Sequence, residues 1–260
     1  EVKVKIDNTG NRVLFVALYY KQKRGNIDGI FTAVYDKNED KILKMVAGSF
    51  NDDLRRQAKG PDANLKLAFN DYFIKNILIK KDGGVIFVGE SLYTSSRGNS
   101  FNRWDYMGYN NPWNSPLNYY YSPYYSPWGS PWNRYGTNNT ATRYHSENIM
   151  ILSFDNQLNL EWSNVIPKSQ FDDDSDAMIS HQTIVTGGEL HFLFNQYERR
   201  TLLLSDQSIA VDGKITRYPT LKNLDRGFEF MPRLGKQVSS RSIVMPCQYK
   251  NYLTFAKLDF

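Results

Sequence analysis

The segment "ILIKKDGGVIFVGESLY" (77–93) sets two apolar runs on either side of Asp82-Gly83-Gly84, and the chain repeats that shape along its length. Glycine reaches the positive φ that a tight hairpin turn needs, so each copy reads as two antiparallel strands. Further copies are "VKVKIDNTGNRVLFVALYY" (2–20) and "ISHQTIVTGGELHFLFNQY" (179–197), with a weaker one at "FMPRLGKQVSSRSIVMPCQY" (230–249). A second hairpin follows each first one, at 29–46, 148–165 and 201–218, and the fourth stops at "YLTFAKLDF" (252–260). Asp36, Asp155, Asp212 and Asp259 stand where the first strand of each second hairpin meets its turn. A carboxylate there can accept the turn's own amides, so these four are read as turn residues and not as catalysts.

Leu14, Ile86, His191 and Ile243 serve as rough equivalents and are spaced by 72, 105 and 52 residues. The shortest spacing is close to the roughly 40–50 residues of one four-stranded propeller blade. Units at about 2–50, 73–168, 178–224 and 228–260 therefore predict an all-β fold, a β-propeller or the C-terminal part of one, built from four-stranded antiparallel blades in a single domain. Insertions at about 51–72 and 94–146, with the connection at 166–178, all fall on one face of such a fold. The fourth unit ends after its third strand, and the chain opens directly on a first-strand candidate. The expectation is a ring left open within these residues, with four closed blades as the alternative.

The pattern of Gly83-Gly84, Gly89-Glu90, Asp155 and Trp162 resembles the degenerate propeller repeats of bacterial envelope proteins, among them components linked to gliding motility and type IX secretion. The resemblance covers most of the chain outside the insertions. It implies export to the periplasm or cell surface and a non-catalytic role as subunit of an envelope assembly, such as a secretion or transport channel complex. "FDNQLNLEW" (154–162) also resembles quinoprotein propellers, in which tryptophan docks adjacent blades. One such tryptophan and no adjacent cysteine pair give no ground for a cofactor, and none is expected.

Composition limits the remaining function classes. A charge of +5 spread over 260 residues, with short basic clusters at 21–24 and 55–56, does not make a nucleic-acid surface. No apolar run reaches the ~18 residues of a membrane-spanning helix. The single cysteine, Cys247, excludes an internal disulfide framework and a multi-cysteine metal site. Aromatic residues make up 15% of the chain, which suits pleated, half-buried surfaces.

"NPWNSPLNYYYSPYYSPWGSPWNRYG" (111–136) is unlike the rest. Proline at this density removes amide donors and blocks both helix and central strand, while the rings argue against a plain linker. Trp104, Trp113, Tyr120, Tyr124, Trp128 and Trp132 are the candidate anchors for a protein partner, since rigid aromatic area binds at low entropic cost. A glycan is the other partner these rings suit, because the apolar face of a sugar covers an aromatic well. A cluster of close carboxylates beneath aligned tryptophan faces would favour that alternative, a carbohydrate-binding or carbohydrate-active module.

Other candidates carry less. "DDDSD" (172–176) has the oxygen ligands calcium needs but lacks the spaced loop, so Asp172–Asp176 reads as a solvated acidic turn. His181 and His191 fall on neighbouring strands and could face one another, but two histidines without a third ligand make no zinc site. His145 stands alone at the end of the aromatic insertion. No nucleophile elbow and no phosphate cradle is present, so no hydrolase or oxidoreductase turnover is expected.

Overall fold

The computed structural model describes residues 2–21, 26–59, 68–96, 142–173, 175–199, 201–225 and 227–260. They form four antiparallel sheets, each continuous in sequence. Sheet 1 holds β1 (Val2–Asp7), β2 (Arg12–Tyr19), β3 (Gly29–Asp36) and β4 (Lys41–Ser49). Sheet 2 holds β5 (Tyr72–Ile79), β6 (Val85–Ser96), β7 (Thr142–Phe154) and β8 (Leu160–Asp172). Sheet 3 holds β9 (His181–Thr186), β10 (Glu189–Glu198), β11 (Thr201–Ala210) and β12 (Ile215–Arg217), and sheet 4 holds β13 (Glu229–Phe230), β14 (Lys236–Ser239), β15 (Ser242–Tyr249) and β16 (Tyr252–Asp259).

In sheets 1 to 3 the strands pair in chain order. In sheet 4, β16 occupies one whole edge of β15, so β13 and β14 share the other edge as a single interrupted first strand. The interruption is a short 3-10 helix, Pro232–Leu234, opened by a proline that has no amide to give a sheet ladder. Among the described residues no strand lies beyond β16, and no sheet closes on itself.

The turn chemistry follows the sequence closely. Asp36 accepts the amides of Asn38 and Glu39, Asp155 those of Gln157 and Asn159, and Asp212 that of Lys214, all within 3.1 Å. Gly83 takes a φ of +85°, as the hairpin requires. Asp259 departs from the pattern: its carboxylate meets the Ser242 hydroxyl and the Lys257 ammonium instead of a turn amide.

Side chains alternate across the strands, so each sheet offers two faces and the sheets stack in order. Leu14, Val16, Ile30 and Val34 of sheet 1 pack on Tyr72, Phe87 and Leu152 of sheet 2. The opposite face of sheet 2, with Val88, Ile149, Ile151 and Ile166, packs on Phe192, Phe194 and Ile209 of sheet 3. Ile184, Leu193 and Leu204 then pack on Ile243, Met245 and Cys247 of sheet 4. Trp162 ties sheet 2 to sheet 3, its Nε1 donating to the Val211 carbonyl at 2.8 Å beside Gly213.

Two boundaries differ from the sequence reading. The insertion at 51–72 contains a helix, α1 (Asp52–Lys59), started by the Asn51 side chain, which accepts the Leu54 amide at 2.9 Å. Acidic residues in its first turn and basic ones in its last complement the helix dipole, and Leu54 and Ala58 are buried. Eight residues are too few to show helical periodicity in sequence. The second difference is that β6 and β7 stay paired out to Ser96 and Thr142, inside the insertion placed at 94–146. Paired to β8 as well, they form an arm, and residues 97–141 join its tip.

Candidate functional site

In a four-stranded meander, the link from second to third strand and the link to the next sheet leave by the same end. The arm of β6 and β7, helix α1 and the connection from β8 to β9 therefore share one end of sheet 2, as expected. Two groups of polar side chains lie there, on opposite faces of that sheet.

On the face toward α1, successive arm residues are brought together by pairing: Ser91 opposite Glu147, and Tyr93 opposite His145. The Tyr93 hydroxyl donates to Glu147 Oε1 at 2.8 Å, and its ring stacks on His145 with centroids 4.4 Å apart and planes 8° apart. His145 Nε2 meets the Ser95 hydroxyl at 2.8 Å. Burial, and then the bond to Glu147, push the Tyr93 phenol well above its usual range, so it stays protonated and a donor. Burial pushes His145 down, leaving its imidazole neutral at pH 7. Asp71, just ahead of β5, completes the group. Its Oδ1 is buried without a hydrogen-bond partner among the described residues. Burial first, with the nearby Glu147 charge adding to it against Lys59, raises the Asp71 carboxyl to about 7. The end of α1 is fixed over this region by Asn148, whose Nδ2 donates to the Ala58 carbonyl at 2.6 Å.

On the other face, toward sheet 3, Glu90 is wholly buried at the centre of a charged knot. Its Oε1 receives Lys168 Nζ at 2.9 Å, His181 Nδ1 at 2.8 Å and the Ser146 hydroxyl at 3.0 Å. Its Oε2 receives the Ser180 hydroxyl, and Lys75 Nζ lies 3.4 Å away. Burial alone would raise the Glu90 pKa, but Lys168, His181 and Lys75 outweigh it and hold the carboxyl well below its usual range. Burial lowers both lysines and His181 in turn. Lys168 continues to Gln170 Oε1 at 2.6 Å, Gln170 Nε2 to the Asn195 carbonyl at 2.8 Å, and Asn195 Nδ2 to the Phe230 carbonyl at 2.7 Å. The chain of bonds thus crosses sheets 2, 3 and 4. Ser180 sits at a φ of +76°, a strained region for serine, held there by its hydroxyl bond and by its amide bond to Gln170.

At the opposite end, an open cleft of about 830 Å³ lies between sheets 3 and 4. His191 Nδ1 is 2.9 Å from Asp206 there, and the Tyr218 ring stacks on the imidazole while its hydroxyl donates to Glu189 at 3.2 Å. Lys257 and Asp259, on the rim, satisfy each other at 2.9 Å.

Trp104, Trp113, Tyr120, Tyr124, Trp128 and Trp132 all lie outside the described residues; the structure gives only the arm that carries them. His181 and His191 do not face one another, since His181 pairs with Phe194 and His191 with Ile184, and each binds a different carboxylate. The acidic turn is engaged as well: Asp173 with Arg143 at 2.6 Å, Asp176 with Arg233, and Asp172 with the Ser175 amide. Among the described residues no group of three or more metal-ligating side chains forms. Asp71, Tyr93, Glu147 and Glu90 were missed as site residues. The available signal was polarity at strand positions: Glu90 closes "GGVIFVGE", and Lys168 interrupts "NVIPKSQF" (164–171), both in otherwise apolar or neutral runs.

No family model and no curated protein matches this sequence. Among solved structures, the polysaccharide lyase Uly1 aligns over 99% of this chain with a TM-score of 0.38 and 8% identity. The chain spans 45% of the length of that protein, and a likeness at this level carries no argument about fold or function.

Proposed function

We propose that this chain is a segment of a β-propeller that binds carbohydrate at the root of its aromatic arm. One observation carries the reading: the neighbouring carboxylates Asp71 and Glu147, with Tyr93 and His145, lie where the arm bearing residues 97–141 leaves sheet 2. Sugars are held by aromatic faces against their C–H surfaces and by polar side chains at their hydroxyls. The insertion supplies the rings, and the floor supplies the acceptors and donors. Asp71 Oδ1, lacking a partner, suits a ligand hydroxyl. An envelope or cell-surface setting, implied by the repeat pattern, is where such binding would serve, and the role proposed is binding without bond cleavage.

The test is titration of the 260-residue chain with neutral and acidic oligosaccharides by calorimetry, together with a check for product release. Binding should weaken at least tenfold in Glu147→Gln and vanish on deleting residues 104–135, with the melting temperature nearly unchanged. Absence of glycan binding, or binding indifferent to both changes, refutes the proposal. The second reading, a subunit of a larger protein assembly, is favoured by a separate observation: the outward face of sheet 1 carries an uncharged row, Val4, Phe15, Ala33 and Met45, with Val4 56% and Met45 62% exposed.

A further inference from the structure

The arm continues the proposed glycan site onto its outer strand. Tyr93, His145 and Phe171 stand directly opposite one another across β6, β7 and β8, so the three rings share one face. Tyr93 and His145 are stacked and hydrogen-bonded, and each is half-buried. Phe171 is 53% exposed. Adjacent strands lie about 4.8 Å apart, so β8 is about 10 Å from β6, farther than one sugar ring reaches.

A single exposed ring is ordinary on a protein surface, but Phe171 is held in place. The Arg143 guanidinium lies over it, 4.5 Å from the ring centroid, and Asp173 fixes that guanidinium through two bonds of 2.6 and 2.9 Å. A ring braced on one side and open to water gives up little freedom when a ligand covers it. Beside Phe171 opens a pocket of about 80 Å³, between the end of β8 and sheet 3. Tyr197, 68% exposed, and Leu202 wall it, and Asp172 and Glu229 line it with carboxylates. At about 30 Å³ per water molecule it has room for two or three small groups, too little for a whole sugar ring and enough for a substituent of one.

We propose that the ligand of this site is an extended oligosaccharide crossing the arm, with one sugar at Tyr93 and Glu147 and the next stacked on Phe171, its substituent entering the pocket beside Tyr197. Resting on the carbohydrate reading above, this makes Phe171 the residue that selects for chain length. Carbon–hydrogen faces of a sugar cover an aromatic ring well, and hydroxyl or amide substituents can donate to the carboxylates of the pocket. A monosaccharide fills only one of the two positions, so it gains nothing from Phe171.

Calorimetry with glucose, N-acetylglucosamine and glucuronate, each as monomer, dimer and tetramer, tests this on the 260-residue chain. In the series that binds, affinity should rise at least about tenfold from monomer to tetramer. Phe171→Ala should remove most of that rise and Tyr197→Ala part of it, with monomer affinity kept within about twofold. Phe171→Tyr, which keeps a stacking ring, should retain the tetramer affinity and so separates lost stacking from a disturbed fold. A monomer that binds as tightly as the tetramer, a rise that survives Phe171→Ala, or a tetramer lost equally in Phe171→Tyr overturns the inference and leaves the carbohydrate reading standing. Failure of every sugar to bind at every length refutes both.

Discussion

Replacing Glu90 by glutamine tests whether the buried knot is held by its one carboxylate. The side chain keeps its shape and loses its charge. Lys168, 1% exposed, then loses its ion pair, and Lys75 loses its contact at 3.4 Å. Removing one partner of a buried ion pair typically costs about 3–5 kcal/mol, mainly because the remaining charge is left buried and uncompensated. For a chain of this length about 2–4 °C of melting temperature accompanies each kcal/mol, so a fall of about 10 °C is expected.

The pH dependence separates a charge effect from a packing effect. The Glu90 carboxyl titrates far lower in the folded chain than its ordinary 4.5, so its contribution is complete above 4.5 and is lost as pH falls below that value. Glu90→Gln should abolish this acid loss. The two lysines are depressed below their ordinary 10.5, so between their folded values and 10.5 the unfolded chain binds more protons and stability rises with pH. Without Glu90 they are depressed further, so the deficit of the variant should shrink between pH 7 and 9.5. Adding Lys168→Met should recover part of the loss at neutral pH. Urea melts from pH 4 to 9.5 provide the assay. A deficit under about 1 kcal/mol, or one that does not change with pH, would show that the lysines reach water and that this account of the knot is wrong.

Asp71→Asn should stabilise the chain at pH 8, where the folded state buries a carboxylate whose pKa has risen from 3.8 to about 7. Three units imply about 4 kcal/mol; partial exposure reduces that to about 2 kcal/mol, and the gain should fade in urea melts as pH drops from 7 toward 4. Gly213→Ala should cost about 1–3 kcal/mol by chemical denaturation, since Gly213 holds a φ of +86° and a Cβ there would lie 2.9 Å from the Trp162 ring. Trp162→Phe, which keeps an aromatic ring but not the bond to Val211, should cost about 1 kcal/mol in the same assay; no change in either variant would show that Trp162 does not dock sheet 3.

Local rules made the sheets legible. The Gly83 turn, the amide-accepting aspartates and the alternating strands each act within a few residues, and three pairs of hairpins, with a fourth hairpin and its following strand β16, stand where those signals put them. Helix α1 is legible only in hindsight: its start at Asn51-Asp52-Asp53 and its basic end are capping signals, but eight residues cannot display a period. The end of the arm was misplaced for a related reason. Pairing of β6 with β7 beyond Tyr93 is set by His145 and Glu147 across the sheet, roughly fifty residues away in the chain.

The polar groups were hidden more deeply, because a side chain acquires its chemistry from neighbours that sequence does not place. Glu90 was visible as part of a repeat and reads as a surface residue next to a glycine. Only when sheet 3 brings His181 and Ser180 onto sheet 2 does it become the acceptor of at least four donors. Asp71 is likewise an ordinary acid until α1 and the arm exclude water from it and Glu147 adds its charge. The Glu90 knot is a consequence of stacking, and this has a bearing on the order of assembly. A hairpin can form from its own turn, but the knot needs sheets 2 and 3 both in place. Glu90 therefore links pairing within sheet 2 to its burial under sheet 3: Lys75 and Lys168 stand on strands of the same sheet, and covering them without the carboxylate would bury two uncompensated like charges.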